Sequence, residues 1–155
     1  MFKMKYSSIE NLSRKHKNKH EGYEHTRLDF VYKGESEKMG ISVYEIPPGQ
    51  SAYPYHYHHK NEECFYIISG EGILRTPEGE RIVKAGDLLY FPANENGAHK
   101  LTNSSDTEKL VYLDVDVIHN IDVSVYPDSN KIGVWGKDTN RIYRLDDDVD
   151  YYEGE

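Results

Sequence analysis

Residues 62–91, "EECFYIISGEGILRTPEGERIVKAGDLLYF", decide the fold. Four short runs, "ECFYII" (63–68), "GILRT" (72–76), "ERIVKA" (80–85) and "DLLYF" (87–91), are separated only by "GEG", "PEG" and "AG". Branched and aromatic runs bounded by glycine and proline read as strands joined by tight turns. "RTPEGERI" (75–82) is a hairpin turn, because Pro77 presets a turn dihedral and Gly79 tolerates a positive φ. In "EECFYII", Glu63, Phe65 and Ile67 share one face, while Cys64, Tyr66 and Ile68 share the other. Both faces carry apolar side chains. The outside of this strand is therefore expected to be covered, by the N-terminal segment or by a second subunit in a homodimer.

The same texture extends outward through "ISVYEI" (41–46), "AHKLTN" (98–103) and "EKLVYLDVDV" (108–117), with "PPG", "ANENG" and "NSSD" between runs. No stretch of ten or more residues in this block shows a helical stripe. Many short strands at close spacing predict an all-β sandwich or small barrel. Alternation in the last run places Val111, Leu113, Val115 and Val117 on one face and Leu110, Tyr112, Asp114 and Asp116 on the other. A chain of 155 residues is expected to form one domain, 1–155, with an N-terminal arm (1–38), a barrel core (39–118) and a C-terminal extension (119–155). The arm is polar apart from a possible edge strand, "TRLDFVY" (26–32), and its basic run "SRKHKNKH" (13–20) reads as solvated. The acidic, aromatic tail "RIYRLDDDVDYYEGE" (141–155) is expected to lie extended along the surface.

Composition narrows the partners. Acidic residues outnumber basic ones 27 to 19, a formal charge of -8, which argues against nucleic acid or an anionic membrane surface. No apolar run reaches membrane-spanning length and "MFKMKYSSIE" lacks a signal peptide's apolar stretch, so a cytoplasmic location is expected. The single cysteine, Cys64, excludes an internal disulfide framework and reads as buried filler rather than nucleophile.

"HYHHKNEE" (56–63) puts three histidines and two glutamates at the mouth of a strand entering the core. His56 and His58, two apart, point to one side of a strand. Glu63 returns to that face after a short turn. Imidazoles with one carboxylate suit zinc, iron, manganese, nickel or copper. Of the other histidines, His16, His20 and His25 lie in the polar arm and His119 follows the last strong strand. His99, heading "AHKLTN", is the best fourth ligand. His59 points away, and Tyr55 and Tyr57 are expected on the outer face. Tyr53, Glu45 and Tyr90 are weaker candidates for lining the mouth.

Gly49, His56-Tyr57-His58, Glu63 and Gly70 resemble the first cupin motif, and Gly86, Pro92, Gly97, His99 and Asn103 resemble the second. The likeness covers roughly 40–117, and "YPDSNKIGVWG" (126–136) is similar to the tail of a group of bacterial single-domain cupins. Two spacings depart from the pattern: six residues rather than five separate Gly49 from His56, and "PANENGAH" adds two residues before His99. They affect loop shape and leave the ligand set in place. Glu63 satisfies the motif's spacing on both sides, whereas Glu62 would face away from the histidines.

The resemblance implies a double-stranded β-helix, the cupin or jelly-roll barrel. In it His56, His58, Glu63 and His99 would hold a divalent transition metal (Zn, Fe, Mn or Ni) inside the wider mouth, leaving one or two positions open. Asn103 would hold a loop rather than touch the metal. Two functions fit: a metal-dependent enzyme acting on a small organic molecule by oxygenation, isomerisation or decarboxylation, or a non-catalytic module that binds a sugar or organic acid. No separate acid or base is evident in the sequence, and fold and ligands alone do not select the reaction.

Overall fold

In the computed structural model, which describes residues 3–32 and 34–155, the alternating run that ends the barrel core becomes a central strand, β10 (Leu110–Val117). It pairs antiparallel with β3 (Met39–Ile46) on one side and β5 (Glu62–Ser69) on the other. β8 (Leu88–Phe91) pairs with β5, and β1 (Ser13–His20) and β2 (Tyr23–Val31) add to β3. The result is a six-stranded sheet in the order β1-β2-β3-β10-β5-β8. Register fixes which side faces inward. Tyr44 lies opposite Tyr112, Asp114 opposite Phe65, and Asp116 opposite Glu63, so these side chains share the inner face. The face carrying Val111 and Leu113 points out.

The second layer is made of two smaller sheets. β6 (Glu71–Thr76) pairs with β7 (Gly79–Lys84) and β9 (Lys100–Asn103), while β4 (Tyr57–His58), β11 (Ile121–Tyr126), β12 (Lys131–Gly136) and β13 (Asn140–Arg144) form the other. They meet at one bridge, where His56 N donates to His99 O at 3.1 Å and His99 N to His56 O at 2.9 Å. The hydrophobic core, including Ile46, Phe65, Ile67, Leu74, Val83, Leu101, Leu110 and Tyr112, fills the end under the three-stranded sheet. The other end, under the four-stranded sheet, is the barrel mouth. This is the all-β double-stranded β-helix expected from the sequence.

Two glycines permit close approaches. Gly70 has φ +85°, and a Cβ there would lie 2.4 Å from the Lys109 carbonyl oxygen. A Cβ on Gly97 would lie 2.0 Å from the Pro92 carbonyl oxygen, so only glycine lets the loop close tightly in front of His99.

The N-terminal expectation needs correction. Setting aside residues 1, 2 and 33, which lie outside the described residues, the strand expected at 26–32 is present as β2, but it pairs with β1 as well as β3, so the segment before residue 39 holds a hairpin continuous with the main sheet. "SRKHKNKH" is exposed at every position, as expected, but as an edge strand. The hairpin extends the sheet sideways instead of covering it. The outer face of β5 and its neighbours stays open: Tyr66, Leu88, Tyr90 and Ile82 are all exposed, and Cys64 is only half-buried. In the C-terminal extension, β11 and β12 complete the barrel mouth, and the tail pairs through β13 before ending in exposed turns.

Asn103 is fully buried and ties three segments together. Its Nδ2 donates to Ile46 O and Glu108 O, each at 2.8 Å, and its Oδ1 accepts from Ser105 N at 2.9 Å. It holds a loop, as the sequence suggested. Asn103→Ala strands one buried carbonyl, one part-buried carbonyl and one part-buried amide, which predicts a loss of about 2–4 kcal/mol of stability in chemical denaturation. A loss below about 0.5 kcal/mol contradicts that role.

Candidate metal centre

The bridge between the two smaller sheets places His56 and His99 side by side, their ring centroids 4.9 Å apart. His58 follows on β4, 5.1 Å from His56 ring to ring, and Glu63 reaches across from β5. Each imidazole is fixed through Nδ1. His56 Nδ1 bonds Pro54 O at 2.8 Å, His99 Nδ1 bonds Gly97 O at 2.9 Å, and His58 Nδ1 bonds Asp122 Oδ2 at 2.5 Å. A carbonyl or carboxylate can only accept, so Nδ1 carries the proton, and Nε2 keeps a free lone pair in each ring whenever that ring is neutral. Ser124 Oγ, 3.1 Å from His58 Nδ1 and 2.7 Å from Trp135 Nε1, steadies the same ring.

The Nε2 atoms face Glu63. Its Oε2 lies 3.6 Å from His58 Nε2 and 3.4 Å from His99 Nε2, yet it is buried without a hydrogen-bond partner. Two ligands bound at about 2.1 Å to one ion sit roughly 3–3.5 Å apart. The spacing is long for a direct hydrogen bond and right for a shared cation. His56, His58 and Glu63 each offer a ligand atom within 4.8 Å of the others. His99 falls outside that group and meets it through Glu63, whose Oε2 lies 3.4 Å from its Nε2; the four side chains lie at one end of the barrel, and their donor types suit a divalent transition metal.

Electrostatics agree. Burial, then the His58 charge, lowers His56 to about 4, and burial followed by His56 takes His99 well below its ordinary value. Both rings are neutral, as ligands must be. Burial raises Glu63 to about 7, with His58 partly opposing and the Asp116 and Asp122 charges adding to the rise.

Opposite the histidines, Asp114 and Asp116 project from β10, and each has a buried Oδ1 without a partner. Their ligand atoms and one of Glu63 lie within 4.8 Å of one another. Burial first, then Asp116 and Glu63, raises Asp114 well above 3.8. The bond between the two aspartates favours a protonated Asp114 donating to Asp116. These groups line a cavity of about 230 Å³ with Arg27, Tyr44, Tyr53 and Tyr126.

Several site residues were not singled out in the sequence. The alternation of "KLVYLDVDV" already put Asp114 and Asp116 beside Tyr112; what was missing was which face pointed inward. Asp122, Ser124 and Trp135 had no signal, since they reach the site only through pairing of β11 with β4 and β12. Arg27 arrives on β2, in the run read as a possible edge strand, whose inward side alternation did not mark. Of the weaker candidates, Tyr53 lines the cavity. Glu45 instead pairs with Arg14 and Lys109, and Tyr90 donates outward to Glu62. His59 is exposed, as expected, and Tyr55 is buried beneath Arg75 and away from the mouth.

The His58–Asp122 pair predicts a pH dependence. Burial pulls His58 down, but the Asp122 bond and the Glu63 charge outweigh it and raise the ring above 6.5. Burial pushes Asp122 up, and the His58 bond outweighs that and lowers it below 3.8. The raised histidine contributes stability that is complete below 6.5 and lost as pH rises through its folded value. The lowered aspartate contributes stability that is complete above 3.8 and lost as pH falls through its folded value. The pair is therefore strongest between these limits. In Asp122→Asn, burial dominates and the His58 pKa falls; NMR titration of metal-free protein that finds it unchanged refutes the coupling.

Comparison with known proteins agrees with the fold. Residues 42–116 match the Cupin_2 family model, a cupin domain. An oxalate-binding protein of Thermotoga maritima is 30% identical over 69 residues, 44% of this chain and 56% of that protein. An uncharacterized protein of Methanocaldococcus jannaschii is 30% identical over 73 residues, 47% of this chain and 54% of that protein. The chain thus spans about half the length of these curated relatives. Among solved structures, a sugar phosphate isomerase of the cupin superfamily from Silicibacter pomeroyi superposes with a TM-score of 0.80 at 20% identity, covering 90% of this chain and 92% of that one. A structure from Acidithiobacillus ferrooxidans, assigned as a sugar phosphate isomerase, gives a TM-score of 0.76 at 28% identity, covering 94% and 93%. No helix among the described residues is long and apolar enough to cross a membrane. Residues 42–116 of this chain are therefore a cupin domain, and the architecture around them is the one shared with these cupin structures.

Proposed function

We propose that this protein is a metal-dependent enzyme acting on a small organic molecule, with His56, His58, Glu63 and His99 holding one divalent transition ion. The observation that carries the reading is the buried, partnerless Glu63 Oε2 facing imidazole nitrogens whose other nitrogens are already committed. A bound ion would polarise a carbonyl or hydroxyl oxygen of the substrate. The protein's own contribution is the opposite wall, where Asp114 and Asp116 present unpaired oxygens able to take up or return a proton. An acid–base pair facing a Lewis-acid site suits proton transfer between neighbouring carbons, so isomerisation is favoured over oxygenation or decarboxylation. The likeness to the Acidithiobacillus ferrooxidans structure supports that order.

A non-catalytic binding module is the second reading, supported by the oxalate-binding relative in Thermotoga maritima. Turnover separates the two. Mass-spectrometric metal analysis is expected to find about one ion per chain, and His58→Ala or Glu63→Gln to lose most of it. Hexose and pentose phosphates, incubated in deuterated water with the metal-loaded protein, should gain carbon-bound deuterium that Asp114→Asn abolishes while keeping its metal. Full metal and no exchange with any of them favours the binder. Full occupancy in both ligand variants removes the proposed ligand set.

The open face bearing Tyr66, Leu88 and Tyr90 supports a homodimer, and the free Cys64 supports a reducing, cytoplasmic setting. Light scattering at micromolar concentration should give twice the 18.0 kDa chain mass, and Leu88→Glu should return it to one. A monomer in the unaltered protein contradicts the pairing.

A further inference from the structure

The histidine chamber is not closed on its outer side. A second cavity, of about 440 Å³, lies against it, and the two share Arg27, Tyr44, Tyr53, His58, Asp116 and Trp135 in their walls. The inner space of about 230 Å³ suits only a very small molecule; with the outer one it enters the range of ordinary ligand sites. A substrate reaching from the histidines outward therefore passes Arg27.

We propose that Arg27 is the anion anchor of this site, binding a phosphate or carboxylate group of the substrate whose other end lies at the histidine cluster. The inference deepens the enzyme reading, on which it rests for the placement of a small organic substrate in the chamber. Three observations carry it.

Arg27 stands on β2, outside the matched cupin domain, and lies opposite Tyr44, whose inward side its own side chain shares. The N-terminal hairpin thus adds a guanidinium to a wall that the domain builds from tyrosines and aspartates. Its nearest acid does not exhaust its charge. Asp29 binds Arg27 Nε at 2.5 Å but also Lys15 Nζ at 2.7 Å, so this one carboxylate is shared between two cations. Finally, that Asp29 bond engages the Nε edge and fixes the planar group in place, and a guanidinium held this way is suited to bidentate recognition of phosphate or carboxylate oxygens. Asp116 lines the same passage, its buried Oδ1 without a hydrogen-bond partner. The bland reading, in which Arg27 only offsets neighbouring acids, makes the opposite forecast for ligand binding.

Calorimetric titration of inorganic phosphate and of oxalate into the full-length, metal-loaded protein tests this, with Arg27→Gln and Arg27→Lys alongside and metal content measured in each. Arg27→Gln is expected to weaken the better-bound anion roughly 10–100-fold with metal content unchanged, and Arg27→Lys to recover part of the loss. Tighter phosphate points to a phosphate ester, tighter oxalate to a carboxylic acid. Affinities within twofold of the unaltered protein for both anions overturn the proposal. Should Arg27→Gln fail to fold, diffraction from unaltered protein soaked with phosphate and, separately, with oxalate decides: either anion within hydrogen-bonding distance of the guanidinium supports the anchor, and both elsewhere or absent refute it. Should the protein hold no metal, the same titrations on it read Arg27 independently, so loss of the metal reading and loss of this one are told apart.

Discussion

One backbone pairing organises the mouth of this barrel. His56 and His99 exchange both of their main-chain hydrogen bonds, and this bridge is where the two smaller sheets join. The pairing brings two imidazoles from segments 43 residues apart into contact without asking any side chain to reach. A carbonyl two residues before each ring, Pro54 for one and Gly97 for the other, then sets the tautomer. The ligand geometry is thus a property of the main chain. A site built that way is held before any ion arrives.

That preparation has an electrostatic cost. Glu63, Asp114 and Asp116 converge in a space of low polarity, and burial raises all three above ordinary carboxylate values. Three acids cannot all ionise there unaided. A proton on Asp114 and, under the proposed function, a cation beside Glu63 would resolve the conflict, and both are what proton-transfer chemistry beside a Lewis acid would require. Arg27, brought in by the N-terminal hairpin, adds a fixed positive charge at the edge of the same space.

Much of this was legible from local pattern. Turn residues at close spacing gave the all-β architecture, strand parity put His56 with His58 and separated Glu63 from Glu62, and Asn103 proved to be a loop clamp. What stayed hidden depends on pairing between distant strands. The strand at 26–32 was visible, but its partner at 13–20 looked like a solvated run because every residue of β1 is exposed, so its hydrophobic period is silent. Asp122 looked like one acid among many until β11 paired with β4. The inward direction of Asp114 and Asp116 was undecidable from alternation alone, which marks two faces without saying which is inside.

Anomalous diffraction from crystals of the protein as purified, recorded on both sides of the absorption edge of the metal found, tests the central claim most directly. The account predicts a single peak about 2.0–2.3 Å from Nε2 of His56, His58 and His99 and from a carboxylate oxygen of Glu63. No peak between these four side chains, or one bound by groups elsewhere, contradicts it.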